Sequence, residues 1–447
     1  MKQSEPLFTN RDLKRLIFPL FMEQLLTMLV GIADVFTVSF VGEAAVSGVS
    51  LVNAFNTIFI YLFTALASGG AVVISQYIGR SEHITAGEAA SQLFTSSMLF
   101  SVLMAAVILL INKILLRMMF GRVEPEVMDA CVTYLCISAC SYPALAAYNA
   151  GAALYRSIGK TGTTMYISVI ANLINVVGNL IGVFVLKAGV AGVACPSLIA
   201  RVFSAVAITL FCFSGKNPIR CRINRIFCWN KKLQQKMLRI AVPNGLESGV
   251  FQLVKVALSS IVALFGTYQI AANGIAQSIW GLASLACVTM GPVFITVIGQ
   301  CMGAGDTQAA EYYFKKLLKI NLLFSVVWNG LVFALTPVLM QFYSLAEETK
   351  QLVILLVLIH SIFNSIAFPF ADPFGKGLRA TGDVKFTTAV SLITTIAVRL
   401  IFSLLFGIGL DLGVIGIAYA MCLDWVFRGI ILWLRFKQNK WKQFKVI

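Results

Sequence analysis

Seven stretches of this chain contain no Asp, Glu, Lys or Arg: residues 44–79, 89–112, 130–155, 161–186, 256–305, 320–346 and 351–371. Inside hydrocarbon each backbone N–H and C=O must find its partner within the segment or in a closed barrel, which restricts long apolar runs to helices. Even the shortest run, 351–371, reaches roughly 30 Å at about 1.5 Å per residue, the thickness of a bilayer core. Adding the apolar stretches centred near residues 28, 202, 252, 398 and 424 gives twelve spans. The composition agrees: 59% hydrophobic, 12% charged, mean hydropathy +0.86. The sequence therefore predicts an all-α polytopic membrane protein with 12 transmembrane helices.

The net charge of +16 does not point to nucleic acid once its placement is considered. Of the 35 Lys and Arg, 26 fall in the N-terminus, the even-to-odd loops and the C-terminus, while five (Lys113, Arg117, Arg122, Lys187 and Lys350) fall in the opposite loops. That bias places both termini in the cytoplasm of a multi-pass plasma-membrane protein. The first sixteen residues lack a secretory cleavage site, so the first helix is expected to be retained. Residues 214–239, from Lys216 to Arg239, read as a basic amphipathic cytoplasmic linker. They separate an N-terminal six-helix bundle (1–213) from a C-terminal six-helix bundle with a short tail (240–447).

The chain also repeats itself. With a shift of about 224 residues Pro19 and Glu23 recur as Pro243 and Glu247, Gly42 as Gly266, Gln76 as Gln300 and Gly79 as Gly303. With a shift of 223, Arg156 and Gly159 recur as Arg379 and Gly382. Each half has an even number of spans, so the repeats are parallel, and the expected architecture is two six-helix bundles around a central cavity with sites near the midplane. Asp34 breaks the symmetry, since its counterpart is Leu258, and Asn149 faces Asp372.

Ionisable groups within spans are costly and mark ion or substrate pathways by default. Glu23 and Asp34 lie eleven residues apart in the first span, within about 20° of one helix face, and Pro19 precedes Glu23 by one turn, a natural hinge. Asn172, Asn175 and Asn179 form a stripe on the fifth span, suited either to interhelical hydrogen bonding or to lining a cation or substrate path. Asp372 sits between Pro369 and Pro373, where freed carbonyls and a carboxylate could hold Na⁺ or H⁺. Glu23, Asn53, Asn149 and Gln277 are candidate substrate-cavity residues. Asp424 and Arg428, one turn apart, read as a structural pair, while Arg201 and Arg399 are counter-ions or interfacial residues. With two His, no CxxC, no P-loop and no nucleophile elbow, neither a catalytic centre nor a metal or cofactor other than a coupling Na⁺ or H⁺ is indicated.

These features together resemble the multidrug and toxic compound extrusion (MATE) transporters over essentially the whole chain. The resembling residues are Pro19, Asp34-Val and Val41-Gly42 of helix 1; Ser75-Gln-Tyr-Ile-Gly79; Asn175-x-x-x-Asn179; and the most specific string, Gly377-Leu-Arg-Ala-Thr-Gly-Asp383 after Asp372. The resemblance implies a secondary-active antiporter, monomeric in the lipid bilayer, that exports organic cations or amphipathic compounds in exchange for Na⁺ or H⁺. It implies a cation or proton site at Asp34, Asn175, Asn179 and Ser197. At the last two positions the family has Asp and Thr, so this chain departs from a two-carboxylate site there. It also implies roles for Glu247 and Asp372, matching the helix 7 and helix 10 acids of some branches. A lipid-linked precursor flippase of the same superfamily and a non-transporting membrane receptor are the rival readings.

Overall fold

The computed structural model describes residues 7–447 except 122, 215, 216, 218, 227 and 344, so Lys2, Arg122 and Lys216, counted above, lie outside the described residues. Twelve spans follow in order. The first six are α1 (Asn10–Ser39), α2 (Glu43–Gly79), α3 (His83–Phe120), α4 (Pro125–Cys140 continued by Tyr142–Ser157), α5 (Thr161–Leu180 with Ile181–Val185) and α6 (Ala191–Phe213). The second six are α7 (Lys231–Val262), α8 (Thr267–Ala283 continued by Leu285–Gly303), α9 (Thr307–Gln341), α10 (Glu347–Ile366, Phe368–Ala371 and Pro373–Thr381), α11 (Val384–Ile393 running on to Gly409) and α12 (Gly413–Lys437). Among the described residues, eleven helices are long and apolar enough to cross a membrane, or twelve when the two pieces of α4 count as one span. The all-α, twelve-span expectation therefore holds.

The breaks have local causes. The pieces of α4 meet at Ser141 with a 42° bend, just before Pro143, whose ring removes a ladder donor. In α10 the interruptions fall at Ala367 and Asp372, each preceding a proline or its neighbour. By contrast α1 runs unbroken through Pro19. Helix α5 ends in a π segment at Ile181–Val185, and α11 carries π segments at Thr394–Leu400 and Leu405–Gly409, so the last of these falls where the repeat predicts it. Gly42 and Gly266, also repeat partners, take φ of 136° and 88° at the turns into α2 and α8, a region that only glycine enters without strain.

The chain forms two compact units, Asn10–Gly245 and Leu246–Ile447, the latter joined by the short segment ahead of α1. In the first unit α1 packs on α5, the second piece of α4 on α2, α3 and α6, and α5 on α6. Its core includes Val52, Phe63, Leu135, Tyr142 and Ala146. Helix α7 starts inside the segment read as a linker. Leu233, Gln234 and Met237 are buried there, with Gln234 donating to the Gln92 carbonyl at 2.8 Å, while Lys231, Lys232 and Arg239 stay exposed. The start of α7 is thus held to α3 of its own unit by the Gln234–Gln92 contact.

In the second unit the two pieces of α8 pack on α10, and α10 packs on α9 and α12. Val353, Leu356, Met421 and Trp425 lie in its core. Trp441 of the tail is fully buried, stacked on Phe436 at 5.5 Å and 6°, which ties the C-terminus down. Phe8 belongs to this unit: its backbone N–H donates to the Tyr313 hydroxyl at 2.8 Å, and that hydroxyl donates to the Phe8 carbonyl at 2.8 Å.

Candidate functional site

Helix α1 faces α5, and both of its acids use that contact. Glu23 is buried and surrounded by donors: Arg156 Nη2 at 2.7 Å, the Tyr148 hydroxyl at 2.9 Å and the Thr164 hydroxyl at 2.9 Å. Asp34 accepts from Asn179 Nδ2 at 2.5 Å. The same amide nitrogen donates to Asn175 Oδ1 at 3.0 Å, and Asn175 Nδ2 donates to the Ser197 hydroxyl at 2.8 Å. The four residues named by the resemblance thus form one chain of hydrogen bonds across α1, α5 and α6. Thr164 and Asn179 are fifteen residues apart on α5, about 22 Å at the helical rise, so Glu23 and Asp34 occupy separate centres despite sharing a face.

The environments differ in kind. Glu23 has a guanidinium beside it, whereas Asp34 is held by an amide and has no Lys or Arg within ion-pair distance among the described residues. The nearest positive influence on Asp34 is Arg201 of α6, acting through space while its Nη1 donates to the Ser141 hydroxyl at 2.6 Å. Asn179 Oδ1 is buried without a partner. The site therefore presents a carboxylate, an orphan amide oxygen and a serine hydroxyl, a set of hard oxygen donors of the type Na⁺ accepts, and a carboxylate able to take a proton. Asn53 of α2 lies near the Tyr134 hydroxyl, within the field of Asp34 and Arg201. Asn172, the third amide of the stripe, stands apart, with its Nδ2 buried and unpartnered.

In the second unit Glu247 and Arg379 form an ion pair, and Arg379 Nε donates to the Thr387 hydroxyl at 3.3 Å. With Glu23, Arg156 and Thr164 in the first unit, this makes a Glu–Arg–Thr cluster present once per repeat. Arg156 and Arg379 enter the charge-bias argument as loop residues. In the structure both lie within helical segments, and their guanidiniums neutralise intramembrane acids. Sequence reasoning missed this partnership, although a signal existed: the acid and the arginine recur with nearly the same shift. Asp372 pairs with Lys376, one turn on, at 2.8 Å, both side chains about a third exposed at 27% and 31%. Asp424 is fully buried between Arg399 at 2.9 Å and Arg428 at 2.8 Å, so the expected i,i+4 pair is a triad. Lys255 is exposed and contributes to no ion pair among the described residues, while Asn149 and Gln277 are half-buried.

Five acids thus sit in the apolar spans. Glu23, Glu247, Asp372 and Asp424 each have a basic partner, and Asp34 has none among the described residues.

A family model described as MatE matches the chain twice, over residues 19–181 and 243–405. The chain is 26% identical over 439 residues to the "Uncharacterized transporter YisQ" of Bacillus subtilis (strain 168), spanning 96% of this chain and 94% of that protein. It is 21% identical over 445 residues to a "Probable multidrug resistance protein NorM" of Thermotoga maritima, spanning 98% and 94%. A solved structure described as "Crystal structure of MATE in the straight conformation" superposes with a TM-score of 0.90 at 19% identity, covering 97% of each chain, a likeness of fold.

Proposed function

The chain belongs to the MatE family, whose members are transporters, and from that premise we propose that it is a secondary-active multidrug and toxin extrusion antiporter. It acts in the plasma membrane with both termini cytoplasmic, as a monomer. In this reading Asp34 is the coupling group, with Asn175, Asn179 and Ser197 completing its site, and it alternately holds the driving ion, Na⁺ or H⁺, and an organic cation.

One observation carries the reading: among the described residues, Asp34 is the intramembrane acid without a basic partner. A carboxylate in the membrane interior has to be neutralised by something. At Glu23, Glu247 and Asp424 an arginine already does this, so a cationic drug gains little there unless the pair is broken. At Asp34 the neutralising charge has to arrive from solution. Ion and substrate that compete for one carboxylate are coupled by that competition. The driving ion biases the conformational equilibrium to the extent that it binds one state more tightly.

A second reading rests on the partly exposed Asp372–Lys376 pair, whose ammonium could exchange for an external cation and give Glu247 and Asp372 a share of the coupling. Proteoliposomes loaded with a fluorescent organic cation and given either a Na⁺ or a pH gradient separate the two. Asp34→Asn abolishes gradient-driven exchange if the first reading holds. Undiminished exchange in Asp34→Asn together with loss in Asp372→Asn transfers the role to the second unit, and the gradient that drives wild-type exchange identifies the ion.

A further inference from the structure

The basic residues at the start of α1 remain unexplained by the transport site. Arg11, Lys14 and Arg15 are exposed and fall at i, i+3 and i+4, so they share one face. None pairs with a carboxylate among the described residues. Together with Phe18, Gly159 and Gly162 they line a cavity of about 430 Å³ at the start of α1 and the turn between α4 and α5, all within the first unit. The glycines keep its wall open: a Cβ added at Gly162 meets nothing within 4 Å, and one at Gly159 meets its nearest atom, Leu16 Cδ2, at 4.0 Å.

We propose that this cavity binds the headgroup of an anionic phospholipid. Two guanidiniums and an ammonium on one face match the charge and the planar, multi-oxygen geometry of a phosphodiester. The next turn of the same stripe is Phe18, 64% exposed and apolar. From Arg11 to Phe18 the helix rises about 10 Å, comparable to the headgroup layer of one leaflet plus the start of its acyl chains. A cation cluster that gives way to an exposed aromatic within that depth fits a lipid, whereas a soluble phosphate would use the charges and leave the aromatic idle. Basic cavities between transmembrane helices are known places for anionic headgroups. A second basic cavity, around Arg220, Arg222 and Arg225, is already partly neutralised, since Arg225 pairs with Glu88 at 3.2 Å. Only the leaflet, the cytoplasmic one, depends on the orientation proposed above; the binding itself does not.

The test uses the full chain in detergent, with its thermal unfolding temperature followed while phosphatidylglycerol, phosphatidylcholine or glycerol 3-phosphate is added. Ligands that bind the folded state raise that temperature by mass action. The expected result is stabilisation by phosphatidylglycerol, with little effect of the other two. In Arg11→Gln/Arg15→Gln the half-saturating lipid concentration should rise about 25-fold, roughly fivefold per charge removed. Gly162→Trp, which fills the cavity and keeps every charge, should weaken binding by at least about tenfold. An unchanged phosphatidylglycerol response in the charge variant overturns the proposal. So does an unchanged response in Gly162→Trp, which would mean diffuse surface attraction without a built site. Equal stabilisation by glycerol 3-phosphate rejects a lipid in favour of a free phosphate ester. Because the wild-type comparison of lipids needs no variant, a poorly folding substitution leaves the proposal open to refutation.

Discussion

Replacing Arg156 by methionine removes the guanidinium from Glu23 and leaves a carboxylate that is 3% exposed with only the Tyr148 and Thr164 hydroxyls. Two neutral hydrogen bonds do not offset the charge. Breaking a buried pair by deleting one partner costs about 3–5 kcal/mol, because the surviving ion keeps its desolvation penalty without its Coulomb gain. The pair here approaches that case, with side chains 20% and 5% exposed. For a chain this size such a loss lowers the thermal unfolding midpoint by about 3–5 °C. The double variant Glu23→Gln/Arg156→Met should recover most of that loss, since replacing a whole buried pair with neutral groups is often close to neutral. The assay is unfolding of purified protein in detergent, run for wild type, both single variants and the double variant. A midpoint for Arg156→Met within about 1 °C of wild type, or a double variant no better than the single, would refute the view that the repeated Glu–Arg clusters are stability elements.

Three further outcomes follow from the same contacts. Asp34→Asn keeps the geometry of the Asn179 contact and strands no opposite charge, so its stability should change by about 1 kcal/mol or less while ion-driven transport is lost, read by unfolding and proteoliposome flux on the same preparation. Asp424→Asn leaves Arg399 and Arg428 buried side by side without a counter-ion, and should destabilise more than Arg156→Met or fail to accumulate folded protein, measured by monodisperse yield. Gly266→Ala forces a side chain into φ of 88° and should cost about 1–2 kcal/mol, visible as a lower unfolding midpoint, whereas Gly274→Ala, with open space at its Cβ, should not lower it.

Much of this molecule can be read from one dimension because the bilayer leaves few choices. The uncharged runs marked out the helices, and the shift of about 224 residues showed that each half carries six of them. The location of Asp34 on a face shared with Glu23 also followed from helical spacing alone, and both residues do face α5. What spacing could not supply was the difference between them. The repeat sets them apart, since Glu23 recurs as Glu247 and Asp34 meets Leu258, but it does not tell which of them carries a neutralising base. Arg156 stands 133 residues from Glu23, and Arg379 stands 132 from Glu247. Counting these arginines as loop charges was reasonable for a linear string and wrong for the folded chain. Lys376 beside Asp372 was within reach of i,i+4 reasoning, but Arg399 beside Asp424 depended on how α11 and α12 pack.

The sequence by itself therefore determined which segments lie in the membrane and which acids had to be explained, because hydrocarbon penalises every unpaired polar group whatever its neighbours. Only the tertiary structure decided which acids are already neutralised. Pairing energy falls off within a few ångströms, and helices packed side by side bring residues more than a hundred positions apart to that distance. Four of the five acids found a base there, and Asp34 found an asparagine.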